Sequence, residues 1–322
     1  MVPSILRNFL TPFNLYLPSV SYEAYEGETV NPQSQTMKWM AREHALPVEE
    51  RVLVMGVLNV TPDSFSDGGR YQGLDAAVAR AEAIEAEGAD VLDIGGESSR
   101  PGSWPVSLEE ELARVLPVVI ALTGRLSIPI SIDTTKAEVA RRSLDCGASI
   151  INDISGLRGD PQMSGVVALA GAGLILVHMQ GTPATMQDLP LYANVVEEVR
   201  DFFRARVETA VAAGIDRERI AVDPGIGFGK TLEHNLALLG GLSAFADLGC
   251  PIVIGPSRKA FVGTILGRPV SAREWGTAAA VAVGILQGAH VVRVHSVAEM
   301  KDVARVSRAI RDGGTGSRVT RV

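Results

Sequence analysis

The residues best equipped for chemistry sit at the ends of short apolar runs. Asp133 closes Ser-Ile-Asp, Asn152 and Asp153 close Ile-Ile-Asn-Asp, and Asp223 opens Asp-Pro-Gly-Ile-Gly-Phe-Gly-Lys. Further runs end at Asn59, at Asp93 ahead of Gly-Gly-Glu-Ser-Ser-Arg-Pro-Gly, at His178-Met179, at Ser257-Arg258-Lys259 and at Arg293-Val294-His295. Asp133, Asn152 and Asp223 offer acceptors and one amide with little cationic balance beside them, which suits the donor-rich edge of an aminated heterocycle. Arg100, Lys259, Arg293 and His295, with Asn59, make a second, donor-rich set suited to phosphate or pyrophosphate. Heterocycle at one end and anion at the other describe a phosphorylated ring substrate.

Each residue alone also has a plainer role. Asp133 or Asp153 can cap the helix that follows, and Asp93 can belong to a polar layer inside a barrel. His178 can be a hydrogen-bonded core histidine rather than a base. Met179 and Phe228 can be packing residues. Gly225, Gly227 and Gly229 before Lys230 resemble a phosphate cradle, but the G-x-x-x-x-G-K-[ST] spacing is missing and a P-loop is excluded.

The elements that must position these groups follow from hydrophobic pattern. Eight strand candidates (52–58, 90–95, 128–132, 149–153, 173–178, 219–223, 251–255 and 290–294) are each followed by an amphipathic stretch. Those stretches are 76–87, one capped by Ser107 with Glu110, then 136–144, 161–170, 195–213, 232–242, 273–286 and 297–310. The joints Gly88-Ala89-Asp90, Gly147-Ala148-Ser149, Gly171-Ala172-Gly173 and Gly288-Ala289-His290 echo one βα unit. Eight such units predict an α/β chain with a closed (β/α)8 TIM barrel, whose strand ends converge on one mouth. An open doubly wound sheet is the alternative, but no G-x-G-x-x-G turn follows the first strand.

Composition sets outer limits. The 322 residues are 46% hydrophobic with a formal net charge of -7, enough apolar content for a large core and the wrong sign for a nucleic-acid-binding surface. No apolar run is long enough for a transmembrane helix, which fits a cytoplasmic location. Cys146 and Cys250 lie far apart and support neither a disulfide framework nor a zinc site. Residues 1–50 read as a poorly structured N-terminal extension, because Phe9–Val20 is broken by Pro12, Asn14 and Pro18. Met37 or Met40 can begin the functional part. A single catalytic domain is expected over 51–312 and a tail over 313–322.

Eight segments in this order, GVLNVTPDSFSDGG, LDIGGESSRPGS, ISIDTTKAEVA, INDISG, LVHMQGTPATMQ, DPGIGFGKTLEHN, SRKAF and VRVHS, resemble the dihydropteroate synthases of folate biosynthesis. The resemblance implies a (β/α)8 barrel that joins 4-aminobenzoate to (7,8-dihydropterin-6-yl)methyl diphosphate with Mg2+ present, in a homodimer. It implies that Asp133, Asn152, Met179, Asp223, Lys259 and Arg293 hold the pterin. Asn59, Arg100, Arg293 and His295 would take the diphosphate, and Asn59 would also meet the Mg2+. Ser99, Pro101, Phe228, Lys259 and Ala260 would shape the aminobenzoate pocket, with loops 59–69 and 97–103 closing over the site. Asp133, Lys259, Arg293 and Arg100 are the expected catalytic residues. This chain departs from the common pattern at Ser99, Ile226 and Ser296, where Thr, Phe and Asp are usual. A pteridine-dependent methyltransferase would keep the Asp and Asn contacts but has no need of the Ser99-Arg100-Pro101 loop or of Ser257–Lys259. A non-catalytic pterin-binding paralogue would be expected to lose loop or diphosphate residues, and none is lost here.

Overall fold

The computed structural model describes residues 37–61 and 69–313. Eight parallel strands, β3 (Leu53–Asn59), β4 (Val91–Gly95), β5 (Ile130–Asp133), β6 (Ile150–Asp153), β7 (Gly173–Val177), β8 (Ile220–Asp223), β9 (Val253–Ile254) and β10 (Val291–Val294), form one sheet in the order β8-β7-β6-β5-β4-β3-β10-β9. A parallel bridge between Val222 and Ile252 joins the two outer strands of that order and closes the barrel. All eight expected strands are present. β9 is the shortest, and its predecessor Pro251 contributes to closure by accepting a hydrogen bond from the Val222 amide at 2.9 Å.

Between the strands run α1 (Gly69–Ala86), α2 (Leu108–Leu122), α3 (Ala137–Asp145), α4 (Met163–Ala170), α5 (Val195–Ala212), α6 (Leu232–Gly240), α7 (Ala260–Leu266), α8 (Glu274–Leu286) and α9 (Val297–Arg311). Ser107 caps α2 as its sequence signal requires, the Glu110 amide donating to Ser107 Oγ at 3.2 Å. Helix α7 is an additional turn that starts directly after Lys259, between β9 and the α8 that the pattern predicted.

Strand side chains alternate, so one row of residues points into the barrel and the next toward the helices. Leu92, Ile94, Ile132, Ile151, Leu174, Leu176, Val292 and Val294 face outward into the larger apolar core under the helices. Leu53, Met55, Val91, Ile150, Ile175, Ala221, Val253 and Val291 fill the interior. Further along the same inward rows stand Asp93, Asp133, Asn152, Asp223 and Arg293. The register aligns Asn59 with Gly95, Gly95 with Asp133 and Asp133 with Asn152, so four adjacent strands deliver one transverse row at the C-terminal end.

The opposite end corrects the last part of the expected extension over 1–50, residues 37–50; residues 1–36 lie outside the described residues. Residues 39–46 form an antiparallel hairpin of β1 (Trp39–Ala41) and β2 (His44–Leu46). Trp39 and Ala41 are fully buried, and with Leu46 and Val48 they join the interior cluster around Leu53 and Met55. Trp39 Nε1 donates to the Arg219 carbonyl at 3.2 Å and the Arg42 amide to the Gly171 carbonyl at 3.0 Å. The pattern hid this hairpin because its strands hold three residues each, below the length at which alternation can be read.

Candidate active site

At the C-terminal end of the barrel a cleft is lined by Asp133, Asn152, Ile154, Val177, Asp223, Ile226, Phe228, Gly255, Lys259 and Arg293. Five strands and the three loops after β6, β8 and β9 contribute to it, so the polar groups are held by several elements rather than by one flexible segment.

Arg293 organises the floor. Its Nε donates to Asp93 Oδ2 at 2.6 Å and its Nη2 to Asp133 Oδ2 at 2.9 Å. Asn152 Nδ2 reaches the same Asp93 oxygen at 3.3 Å. The expectation that the acceptor set stands apart from cationic charge therefore fails: one guanidinium bridges two carboxylates. Asp93, fully buried, faces this node and realises its polar-layer reading. Arg293 gains from both carboxylates and is held above its ordinary range. Asp133 nevertheless sits above the usual carboxylate range, because burial outweighs the attraction of Arg293, a cation shared with Asp93.

Asp223 is anchored by the Gly225 amide, which donates to its Oδ1 at 2.7 Å. Burial pushes its carboxyl up to about 6. Lys259, at the mouth, is pushed down to about 8 by burial and then by the charge of Arg293. Its Nζ lies 3.8 Å from the centre of the Phe228 ring, a cation–π contact that makes one unit of the two residues. Met179 is buried beside Phe228 in the interior cluster.

The anion side gathers around β3 and β10. An ideal Cβ placed on Gly95 would stand 3.7 Å from Asn59 Oδ1 and 3.9 Å from Asp133 Oδ2, so both oxygens face the space that the absent side chain leaves. His295 Nδ1 is 2.9 Å from Ser257 Oγ. Burial, with Arg293, Arg258, Lys259 and Arg100 adding positive charge, pushes this imidazole down to about 4. It is neutral at pH 7; the His295 amide donates to Ser257 Oγ at 3.3 Å, and when that hydroxyl in turn donates to Nδ1 the ring proton is on Nε2. Ser296 Oγ accepts from Arg258 Nη2 at 3.0 Å, so the hydroxyl at this departure from the common pattern is used. Arg258 has a left-handed backbone (φ 58°) and is held by the Thr277 hydroxyl, which accepts from its amide at 3.0 Å.

Arg100, Ser99 and Pro101 lie on the loop after β4 and do not line the cleft. Arg100 and Pro101 are exposed and Ser99 is half-buried. That loop is tied to the loop after β7 by the Gly102 amide, which donates to the Pro183 carbonyl at 2.9 Å. Ala260 is exposed at the start of α7, whose N-cap Lys259 makes no side-chain capping bond. Residues 62–68, most of the expected first lid, lie outside the described residues, as does the tail after Gly313. Asp153 caps no helix: its Oδ2 accepts from the Leu157 amide and its Oδ1 from Ser155. His178 is a core histidine, bonded to Lys230 and set edge-on to Phe202 at 4.7 Å.

Sequence reasoning left Ile154, Val177, Ile226 and Gly255 out of the expected site. Counting in steps of two from Asn152 reaches Ile154, and from Ile175 reaches Val177. Among the described residues no group of three or more His, Cys, Asp and Glu is arranged to hold a metal.

Comparison with known proteins places these features. The family model described as pterin binding enzyme matches residues 55–295. A dihydropteroate synthase of Synechocystis sp. is 48% identical over 262 residues, covering 81% of this chain and 91% of the relative. The crystal structure of Yersinia pestis dihydropteroate synthase with a sulfonamide drug complex superposes with a TM-score of 0.81 at 43% identity, covering 86% of this chain and 100% of that one. The Xanthomonas albilineans dihydropteroate synthase with 4-aminobenzoic acid gives 0.80 at 42% identity, covering 86% and 98%.

Proposed function

The chain belongs to the pterin-binding enzymes, among the dihydropteroate synthases, and on that premise we propose that its cleft joins (7,8-dihydropterin-6-yl)methyl diphosphate to 4-aminobenzoate through the residues described above. The observation that carries the assignment is the meeting of Asp133, Asn152, Asp223, Lys259 and Arg293 in one cleft with Phe228 at its edge. Asp223 and Asn152 take the amino and ring N–H groups of the pterin, Asp133 and Lys259 complete that contact, and Arg293 lies against the ring. Met179 supplies an apolar wall. The diphosphate meets Asn59, His295 and Arg293, with Arg100 approaching from the loop after β4. The aminobenzoate lies over Phe228 and Lys259, near Ser99, Pro101 and the first turn of α7 at Ala260.

The reaction needs no nucleophilic side chain. The C–O bond to diphosphate breaks first, and negative charge that develops on the leaving oxygens is stabilised by donors already in place at Arg293 and His295. A neutral His295 gains proton affinity as the anion arrives, because the anion offsets the surrounding cations. The methylene cation left on the pterin is stabilised by Asp133, whose ionised form Arg293 favours. The arylamine then attacks, held within reach by the unit of Phe228 and Lys259.

The residue that would hold Mg2+ is Asn59, through its amide oxygen, for an ion that keeps several waters and relies largely on substrate phosphates. When bound it would add positive charge beside the leaving group. That oxygen is neutral and faces the Gly95 gap, and among the described residues no carboxylate cage surrounds it.

The reading carries a cytoplasmic location and a homodimer. Val270, Trp275 (87% exposed), Val283, Leu286, Val306 and Ile310 on and around α8 and α9 give the dimer an apolar surface. Light scattering is expected to return twice the chain mass of 34.1 kDa, and a monomer at micromolar concentration contradicts the assembly. The activity itself is tested by incubating the purified protein with the pterin diphosphate, 4-aminobenzoate and Mg2+ and following diphosphate release. Release that depends on aminobenzoate is expected; its absence overturns the proposal.

A further inference from the structure

The Asp-Pro-Gly-Ile-Gly-Phe-Gly-Lys loop that follows β8 is built around a buried cation. Lys230 is 3% exposed, and among the described residues its ammonium makes no ion pair with a carboxylate. Its Nζ instead donates to the Phe228 carbonyl at 2.9 Å and the His178 carbonyl at 3.3 Å, and lies 3.0 Å from His178 Nδ1. The ammonium's three N–H donors thus meet three acceptors, bonds that favour the charged form against the burial that pushes Lys230 down to about 7. Burial, with the charges of Lys230 and Arg158, pushes the His178 imidazole down to about 2, so its Nδ1 is free to accept.

The glycines explain how the loop comes so close. Gly225, Gly227 and Gly229 have φ of 69°, 83° and 61°. A Cβ at Gly225 would stand 1.9 Å from the His178 carbonyl oxygen, and one at Gly229 would stand 2.5 Å from that of Gln180. The β8 loop therefore rests backbone against backbone on the end of β7. The remaining polar groups are also used inside: the Gly227 amide donates to Asn235 Oδ1 at 2.7 Å, and Tyr192 Oη donates to the Gly229 carbonyl at 2.9 Å. A loop that resembles an anion cradle spends its backbone on itself, and its lysine faces inward.

We propose that Lys230 is a positioning residue for the aminobenzoate end of the site, its ammonium fixing the turn that carries Phe228 against the end of β7. It touches no reacting atom. It acts through the Phe228 carbonyl, and Phe228 in turn meets Lys259 Nζ. Asp223, by contrast, is held by its own strand and by the Gly225 amide, and Lys230 reaches it through charge, behind Arg293 and Lys259, so the pterin end depends on the clamp less than Phe228 does. The inference rests on the assignment of Phe228 to the aminobenzoate pocket.

The test compares Lys230→Met, which removes all three donors, with Lys230→Gln, which keeps two without charge, and with Phe228→Ala. Melting curves establish which variants fold. Steady-state kinetics give KM for 4-aminobenzoate and kcat, and calorimetry with a pterin lacking the diphosphate gives affinity at the other end. Lys230→Met and Phe228→Ala are each expected to raise KM for aminobenzoate by about 10-fold or more, with pterin affinity kept within about 3-fold and Lys230→Gln in between. Should Lys230→Met fail to fold, Lys230→Gln decides alone. An unchanged KM in folded Lys230 variants beside a raised one in Phe228→Ala overturns the inference. Equal loss of pterin affinity overturns it as well, since that marks a general structural role. An unchanged KM in Phe228→Ala instead overturns the assignment of Phe228 and takes the inference with it.

Discussion

Replacing Arg293 with alanine is expected to lower turnover by about 10³-fold and, in the same protein, to reduce folding stability by about 3–5 kcal/mol. The two losses have different origins. Turnover falls because the guanidinium is the donor assigned to both the pterin face and the developing charge. Stability falls because Asp93 and Asp133 are left without the cation that bridges them at 2.6 and 2.9 Å. Asp93 is fully buried and its Oδ1 already has no hydrogen-bond partner, so it has no nearby solvent to fall back on. Urea denaturation beside steady-state kinetics measures both. The double variant Asp93→Asn with Arg293→Met separates them: it removes the guanidinium together with one of its two carboxylates, leaving Asp133 alone, and is expected to recover part of the stability and none of the turnover. Near-normal turnover in Arg293→Ala removes the residue from the machinery, and unchanged stability shows that Asp93 does not need it.

Asp223→Asn is expected to move stability the other way. Burial raises this carboxyl from 3.8 to about 6, which means that the folded protein holds the proton more tightly than the unfolded chain does. The native state therefore bears the cost of a buried charge above about pH 6 and is free of it below about pH 4. The asparagine keeps an oxygen for the Gly225 amide but removes the charge, so the variant is expected to be about 1–3 kcal/mol more stable at pH 7, with the advantage vanishing as pH falls toward 4. Pterin binding is expected to weaken by about 100-fold, because an amide presents N–H donors to the N–H groups of the pterin. Thermal melts at pH 4 and pH 7 with pterin calorimetry check both halves. Lower stability at pH 7 would mean that the attraction of Arg293, Lys259 and Lys230 exceeds the cost of burial. The stabilised variant would be an instance of a site held against the preference of the fold.

Much of this architecture is legible in the residues. Strand ends that carry Asp133, Asn152, Asp223 and Arg293 can be found by hydrophobic run length, and the barrel follows from their number. What the pattern does not carry is who touches whom across strands. Asp93 and Arg293 are 200 positions apart, and only the register of β3 with its neighbours β4 and β10 brings them within 2.6 Å. The same gap in information hides the role of Lys230, because a lysine after alternate glycines reads as an anion ligand until its own loop is seen to enclose it. The hairpin escaped for a different reason, being too short for periodicity. It also distinguishes the two internal methionines: a chain begun at Met37 keeps Trp39, and one begun at Met40 lacks it.

That hairpin has a consequence for the order in which the molecule can be made. Trp39 leaves the ribosome early, yet its hydrogen bond is to Arg219, 180 positions later, and Arg42 waits for Gly171. The stopper of the barrel is synthesised before the wall it must close. Until β8 exists, an indole that ends fully buried has no interior to enter. Contacts between residues so distant in sequence are slow to form, and an apolar surface that waits for them is exposed to wrong partners meanwhile. Closure of the floor is thus the step that links this early segment to the starts of β7 and β8. The mouth, whose row from Asn59 to Asn152 comes from consecutive strands, can be assembled in the order of translation.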